Sequence, residues 1–423
     1  ALGKGIGMVH QHFKLIPSLT VAENILIDEL NTGKKIVNWS EFYRKARAIL
    51  DELGYSNIDE RSAVGSLSTS QQQVVEICKA LSRKSKILVL DEPTALLASQ
   101  EVEKLFGILK RLREQGVSIV YISHRLEEIF ALSDRITVLK DGELVGTIET
   151  KQTDDEHLML MMVGRKPSDL FSPRHAEIGA VRLRAEGLQR GNKVKNVSFE
   201  VRAGEVLGFA GLVGAGRTEA LRLVFGADKM DAGEIFLDGK KVSISSPADA
   251  LRLGIGLLPE DRKREGVLLK MPIRVTATLS SLKNYTTGIG RIAFGKEKQA
   301  VEETCAALKL KCRSIEQNTS ELSGGNQQKV ALSKLLLAGS SVLILDEPTR
   351  GIDVGAKVEI YQLINQLAEE GKSIILISSE MMELMGLCDR IVVVHDGSVS
   401  ATLERDEISE ENLIKYSMGV VKA

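Results

Sequence analysis

The stretch GLVGAGRT, Gly211 to Thr218, follows an apolar run and opens the helical phrase EALRLVFG. Glycines at this spacing let successive backbone N–H groups converge on phosphate oxygens, and a helix N-terminus adds partial positive charge. Gly211, Leu212, Val213, Gly214, Ala215, Gly216, Arg217 and Thr218 are therefore predicted to cradle a nucleotide's phosphates, with the Thr218 hydroxyl reaching Mg2+. Arginine stands where this pattern usually has lysine. Its guanidinium is planar, bulkier than an ammonium and bonds as a fork, so the loop is expected to bind nucleotide but to be poorly placed for transfer.

Two apolar runs, LVLDEP and LILDEP, end in Asp-Glu. Asp91 and Asp346 suit water-mediated Mg2+ binding. Glu92 and Glu347 suit the task of orienting and polarising an attacking water. His124, in YISHRL, is placed to contact a γ-phosphate or that water. Gln11, in MVHQHF, offers a carbonyl to Mg2+ and to water.

These motifs come in pairs. LSGGNQQK begins at Leu322 and LSTSQQQV at Leu67, an offset of 255. The same offset links Asp91 to Asp346, Asp134 to Asp389, Glu156 to Glu411 and Pro17 to Pro272, so the chain contains a duplicated domain. Upstream, Gly7 in GIGMVHQ matches Gly256 in GIGLLPE at 249, which gives the second copy six extra residues around EDRKREG. The copies are unequal. His124 maps to Ser379 and Gln11 to Glu260, while Gly324 and Gly325 map to Thr69 and Ser70.

Short β-branched runs (KILVLDEP, VSIVYISH, RITVLKDG and their copies) read as buried strands. Between them lie amphipathic stretches such as SQEVEKLFGILKRLREQG and KVEIYQLINQLAEEG. Strands alternating with helices imply an α/β fold with a mostly parallel sheet in each copy. Residues 165–180, with two prolines and little periodicity, read as a linker between a first domain, 1–164, and a second, 181–423. The chain opens on Ala1 in mid-phrase, and the counterpart of Gly211 would fall before it. The first domain is therefore expected to lack its N-terminal part with the phosphate loop.

Composition narrows the function. With 56 basic against 57 acidic residues there is no bulk drive toward nucleic acid or anionic lipid, and 4% aromatics offer little platform for stacking bases. No run approaches the ~18–20 apolar residues of a membrane span. Cys78, Cys305, Cys312 and Cys388 have no metal-like spacing and are expected to be ordinary thiols.

As a set, these motifs resemble the ATP-binding subunit of an ABC transporter, a tandem pair of P-loop ATPase domains each with a helical signature subdomain. The fused double domain, GAGRTE, PEDRK, LSGGNQQK and DEPTRGIDVGAK are most similar to bacterial importers of the ribose, galactose and xylose type. GMVHQHF and LTVAENI also resemble the related purine-nucleoside importers. The resemblance implies ATP and Mg2+ as ligands, ATP hydrolysis that energises solute import, and a peripheral place on the cytoplasmic face of the bacterial inner membrane. It implies membrane-spanning permease subunits and a solute-binding protein as partners, and no nucleic acid.

It further implies that the two halves pair head to tail, each signature capping the nucleotide held by the other half. One composite site would then join Gln11, Asp91, Glu92 and His124 to Ser323, Gly324, Gly325 and Asn326. The other would join Arg217, Asp346 and Glu347 to LSTSQ with Ser68. The first has the residues for hydrolysis and the second those for holding, yet without the first phosphate loop turnover is expected to be weak. The segments Phe13 to Pro17 and EDRKREGVLLKMP are implied to face the permease. The rival readings are a soluble ABC ATPase of translation or DNA repair and a non-hydrolytic nucleotide-binding regulator.

Overall fold

The chain divides into two compact units, Ala1–Met162 and Val163–Ala423. The computed structural model describes residues 5–10, 14–30, 37–82, 85–94, 97, 99–123, 125–140, 142–163, 171, 174–212, 214–288 and 290–421.

In the first unit β1 (Ile6–Val9), β2 (Ile87–Asp91) and β3 (Ser118–Ile122) form a parallel sheet in that order. Side chains alternate across a strand, so Leu88 and Leu90 share one face and pack on Ile77, Ala80, Leu105 and Leu109 of helices Thr69–Ser82 and Ser99–Glu114. A helical layer adds Trp39–Glu52 and Val21–Ile25, the latter started by a Thr20–Glu23 capping box.

The expectation of buried strands is corrected here at two points. Val120 and Ile122 of β3 are 49% and 45% exposed, so among the described residues this sheet is covered on one face only. RITVLK forms β4 (Arg135–Lys140), which among the described residues pairs only with β5 (Glu143–Glu149) and leaves Leu139 and Leu144 exposed.

The second unit shows why. Its strands are β6 (Val181–Arg190), β7 (Val194–Arg202), β8 (Val206–Ala210), β9 (Ala232–Leu237), β10 (Lys240–Val242), β11 (Ile255–Leu258), β12 (Val342–Asp346), β13 (Ser373–Ile377), β14 (Arg390–His395) and β15 (Ser398–Leu403). They form one sheet of order β10-β9-β6-β7-β15-β14-β8-β13-β12-β11. The run from β14 to β11 is parallel. β14 joins that run by pairing with β8. No described residue of the first unit supplies a strand in that place, so β4 is left with its hairpin partner alone. Likewise Ile375 and Ile377, the repeats of Val120 and Ile122, are fully buried among Leu183, Val197, Val201 and Leu221, residues without a described counterpart in the first unit.

Elsewhere the repeat is kept to the residue. β2 recurs as β12, β3 as β13 and β4 as β14, each 255 positions on, and β1 recurs as β11 at 249. Of the stretch read as linker, residues 165–170, 172 and 173 lie outside the described residues. Phe171 stacks on Tyr361 with ring centroids 5.1 Å apart, Arg174 pairs with Asp389, and the His175 amide donates to Glu369 at 3.1 Å. Among the described residues no helix is long and apolar enough to cross a membrane.

Candidate functional site

β8 is buried on both faces and delivers the chain into the loop that begins at Gly211. Gly211 and Gly216 have φ of 143° and 101°. A Cβ on Gly211 would collide with the Val394 carbonyl oxygen, and one on Gly216 would lie 2.5 Å from that of Lys193. Both positions therefore require glycine for conformation and for space. Gly214 is also left-handed, Leu212 is exposed, and the Ala215 carbonyl accepts from the Gly397 amide at 2.8 Å. Val213 lies outside the described residues. Helix Arg217–Val224 then starts with its free N–H groups toward the loop.

Two residues of that first turn reach the end of β12. Thr218 Oγ1 donates to Asp346 Oδ1 at 3.3 Å. Burial lifts the Asp346 carboxyl to about 6, against the opposing pull of that hydroxyl, and burial also raises Glu347. The Arg217 guanidinium is buried too. Its Nη1 donates to the Ser378 carbonyl at 3.0 Å and its Nη2 lies 3.9 Å from Glu347 Oε1. Ser379, standing where the first copy has His124, donates to Glu347 Oε2 at 3.1 Å. The arginine is thus folded onto the carboxylate that would polarise water.

In the first unit Asp91 ends β2 and Glu92 follows it, with φ of 47° and its amide bonded to the Ile122 carbonyl at 2.9 Å. Glu347 has the same φ and the equivalent bond to Ile377 at 3.0 Å. Gln11 and His124 lie outside the described residues.

The signature phrases differ in local chemistry. Helix Gly324–Leu337 is preceded by Ser323, whose hydroxyl accepts from Asn326 Nδ2 at 2.9 Å. In the first copy the Ser68 hydroxyl meets Ser70 and Gln71 instead, at 3.2 Å each. The resemblance gives these glycines one purpose, capping the nucleotide held by the other half. The structure adds another inside the unit. A Cβ on Gly324 would sit 2.9 Å from Arg262 Nη2, and one on Gly325 would sit 2.5 Å from the Ala356 Cβ. Arg262 belongs to the turn Arg262–Gly266, within the six-residue insertion, and donates to the carbonyls of Arg350 and Gly351 at 2.8 and 3.1 Å. Glu260, the counterpart of Gln11, pairs with Arg350. The insertion is tied down by these contacts; sequence reasoning missed Arg262, although its confinement to one copy was visible.

A family model described as ABC transporter matches residues 1–95 and 194–350. The chain belongs to this family. Membership places it among ATP-binding, ATP-hydrolysing proteins, and the two matched regions correspond to tandem domains of the P-loop α/β fold. Among curated relatives, a protein of Rhizobium meliloti (strain 1021) named for ribose, galactose and methyl galactoside import is 50% identical over 419 residues, 99% of this chain and 83% of that one. A ribose import ATP-binding protein of the same organism is 49% identical, covering 98% of this chain and 82% of its own length. Another from Chelativorans sp. (strain BNC1) is 46% identical, covering 99% and 82%.

Proposed function

We propose that this chain is the ATP-hydrolysing subunit of an importer for ribose, galactose or a related small solute. The observation that carries the reading is identity near one half, over nearly the whole chain, to proteins named for import of those sugars. Permease subunits and a solute-binding protein are its partners, and its place is peripheral, on the cytoplasmic face of the inner membrane. The two halves pair head to tail. Site one joins Gln11, Asp91, Glu92 and His124 to Ser323, Gly324, Gly325 and Asn326. Site two joins Gly211 to Thr218, Asp346 and Glu347 to the LSTSQ phrase.

In site one Glu92 orients water for in-line attack on the γ-phosphorus; the bond to the β-phosphate oxygen breaks and ADP and phosphate leave. In site two the loop binds phosphates through its amides while Arg217 and Ser379 occupy Glu347, so this half holds nucleotide without cleaving it. A divalent cation fits the residues present. Asp346 is a buried carboxylate with raised proton affinity facing the Thr218 hydroxyl, two hard oxygens that leave the other positions to water and phosphate. Mg2+, when bound, neutralises charge on the phosphate oxygens. Asp91 and Gln11 are the corresponding groups in site one.

A polypeptide limited to these 423 residues is expected to turn ATP over weakly, because one phosphate loop alone is among them. The test of the reading is uptake of labelled ribose, galactose and xylose by cells with and without the intact gene. Loss of uptake for one sugar, restored by the wild-type gene and not by Glu92→Gln, is the expected result. Unchanged uptake of all three, with the protein pelleting on ribosomes or DNA, overturns it.

A further inference from the structure

Both units carry the same buried carboxylate, and the motifs read from sequence do not include it. Glu128 and Glu383 stand 255 positions apart and are 4% and 1% exposed. Glu128 accepts from Thr94 Oγ1 at 2.7 Å on one oxygen, and from the Tyr121 and Ser123 hydroxyls at 2.8 Å on the other. Arg125 Nη1 adds a contact at 3.4 Å. Glu383 accepts from Thr349 at 2.5 Å, Tyr361 at 2.6 Å and Ser378 at 2.7 Å.

The threonines and serines are repeat equivalents; the tyrosines are not. Tyr121 lies on β3, whereas Tyr361 comes from helix Val354–Glu369. Leu376 replaces the first tyrosine in the second copy, and Phe106 replaces the second in the first. A third hydroxyl is supplied to each carboxylate although its place in the chain differs. Well-packed apolar residues commonly serve a core as well as a buried charge does, so a charge held this way in both copies asks for a reason beyond stability.

The reason lies in what the carboxylate joins. Glu92 and Glu347 hold left-handed backbone that residues with a Cβ avoid, and such strain persists only where the surroundings over-determine it. On one side each turn is held by its amide bond to the last residue of the next strand, Ile122 or Ile377. On the other side Thr94 lies two residues beyond Glu92, and Ser123 lies one residue beyond Ile122. Glu128 bonds to both, closing the turn into a ring of hydrogen bonds. The Ser123 hydroxyl also accepts from the Arg125 amide at 3.0 Å, as Ser378 does from Glu380 at 3.0 Å.

We propose that Glu128 is a positioning residue for ATP hydrolysis, holding the left-handed turn of Glu92 against the end of β3 so that its carboxylate meets the attacking water in one fixed place. This rests on the reading of Glu92 as the group that polarises water. Glu383 makes the equivalent bonds, at similar burial, in the half read as holding nucleotide, and so provides an internal control.

The experiment is steady-state ATP turnover by the natural full-length chain with its membrane subunits, in wild type, Glu128→Gln and Glu383→Gln. Binding of labelled ATP and thermal midpoints are read on the same samples. Glu128→Gln is expected to lower kcat roughly 10- to 100-fold with KM and ATP affinity within about twofold, the signature of misplacement rather than lost binding. Glu383→Gln is expected to lower the thermal midpoint about as much while kcat stays within about twofold. Thr94→Val, which removes one hydroxyl and keeps the shape, is expected to lower kcat in the same direction by a smaller factor and serves if Glu128→Gln does not fold. Equal losses of kcat in both glutamine variants, losses that track ATP binding, or an unchanged kcat in Glu128→Gln and Thr94→Val overturn the proposal. A wild-type complex without turnover instead removes the ATPase reading beneath it.

Discussion

Asp346, proposed above to hold Mg2+, is kept at a cost to the fold. An aspartate in the unfolded chain titrates near 3.8, whereas burial lifts this one to about 6. Between those values the folded state binds the extra proton, so this group's contribution to stability falls as pH rises from about 4 to 6 and stays lost above. Asp346→Asn keeps an acceptor for Thr218 and removes the charge. The variant is expected to stabilise the second unit by about 1–3 kcal/mol at pH 8 and by little at pH 4, while losing Mg-dependent nucleotide binding. Urea midpoints of that unit's transition at the two pH values check this; an equal gain at both would mean that packing, not charge, is responsible. At this scale the motif residues were legible because loop, strand end and signature each have a local pattern. Glu128 was not. A glutamate on a short helix looks solvated until its three hydroxyl partners, one of them 34 residues away, are seen around it.

At the scale of elements the constant offset made most of the fold readable, since strand and helix bounds recur 255 positions apart. What it could not show was pairing. β4 has the β-branched pattern of a central strand, but whether it becomes one depends on β8's counterpart, and hydrogen-bond partners are not written in a strand's own residues. The signature helix makes a similar point. Gly325 reads as part of the nucleotide-capping signature, yet its missing side chain also makes room for Ala356 on helix Val354–Glu369. Gly325→Ser, the residue of the first copy, is expected to destabilise the second unit by about 1–3 kcal/mol through overpacking. Adding Ala356→Gly should return part of that loss, beyond what the single changes predict. Additive costs in the double mutant would show that the two helices do not meet through this pair.

For the whole chain, the segment that follows the first unit is an arm fixed to the second. Phe171 lies between the Tyr361 ring and Gly386, and a Cβ on Gly386 would run into the Phe171 ring. The first copy has Phe106 and Ala131 at these two positions, so the space for the arm belongs to one copy. Gly386 sits within helix Met381–Leu387, where glycine costs about 0.5–1 kcal/mol relative to alanine. Two opposed effects therefore meet in Gly386→Ala. If the arm's docking contributes nothing, the variant stabilises by that amount. If docking matters, expelling a stacked, partly buried phenylalanine forfeits about 1–3 kcal/mol and the sign reverses. The second outcome is expected, since Arg174 bonds the Leu387 carbonyl and Asp389 at the end of that helix, and the His175 amide bonds Glu369 at the end of helix Val354–Glu369. Phe171→Ala should lose a similar amount by itself. In the Phe171→Ala, Gly386→Ala double mutant the clash is gone and only the helix gain remains, so it should be more stable than Phe171→Ala alone. A double mutant less stable than Phe171→Ala would show that Gly386 is needed for some contact other than the arm.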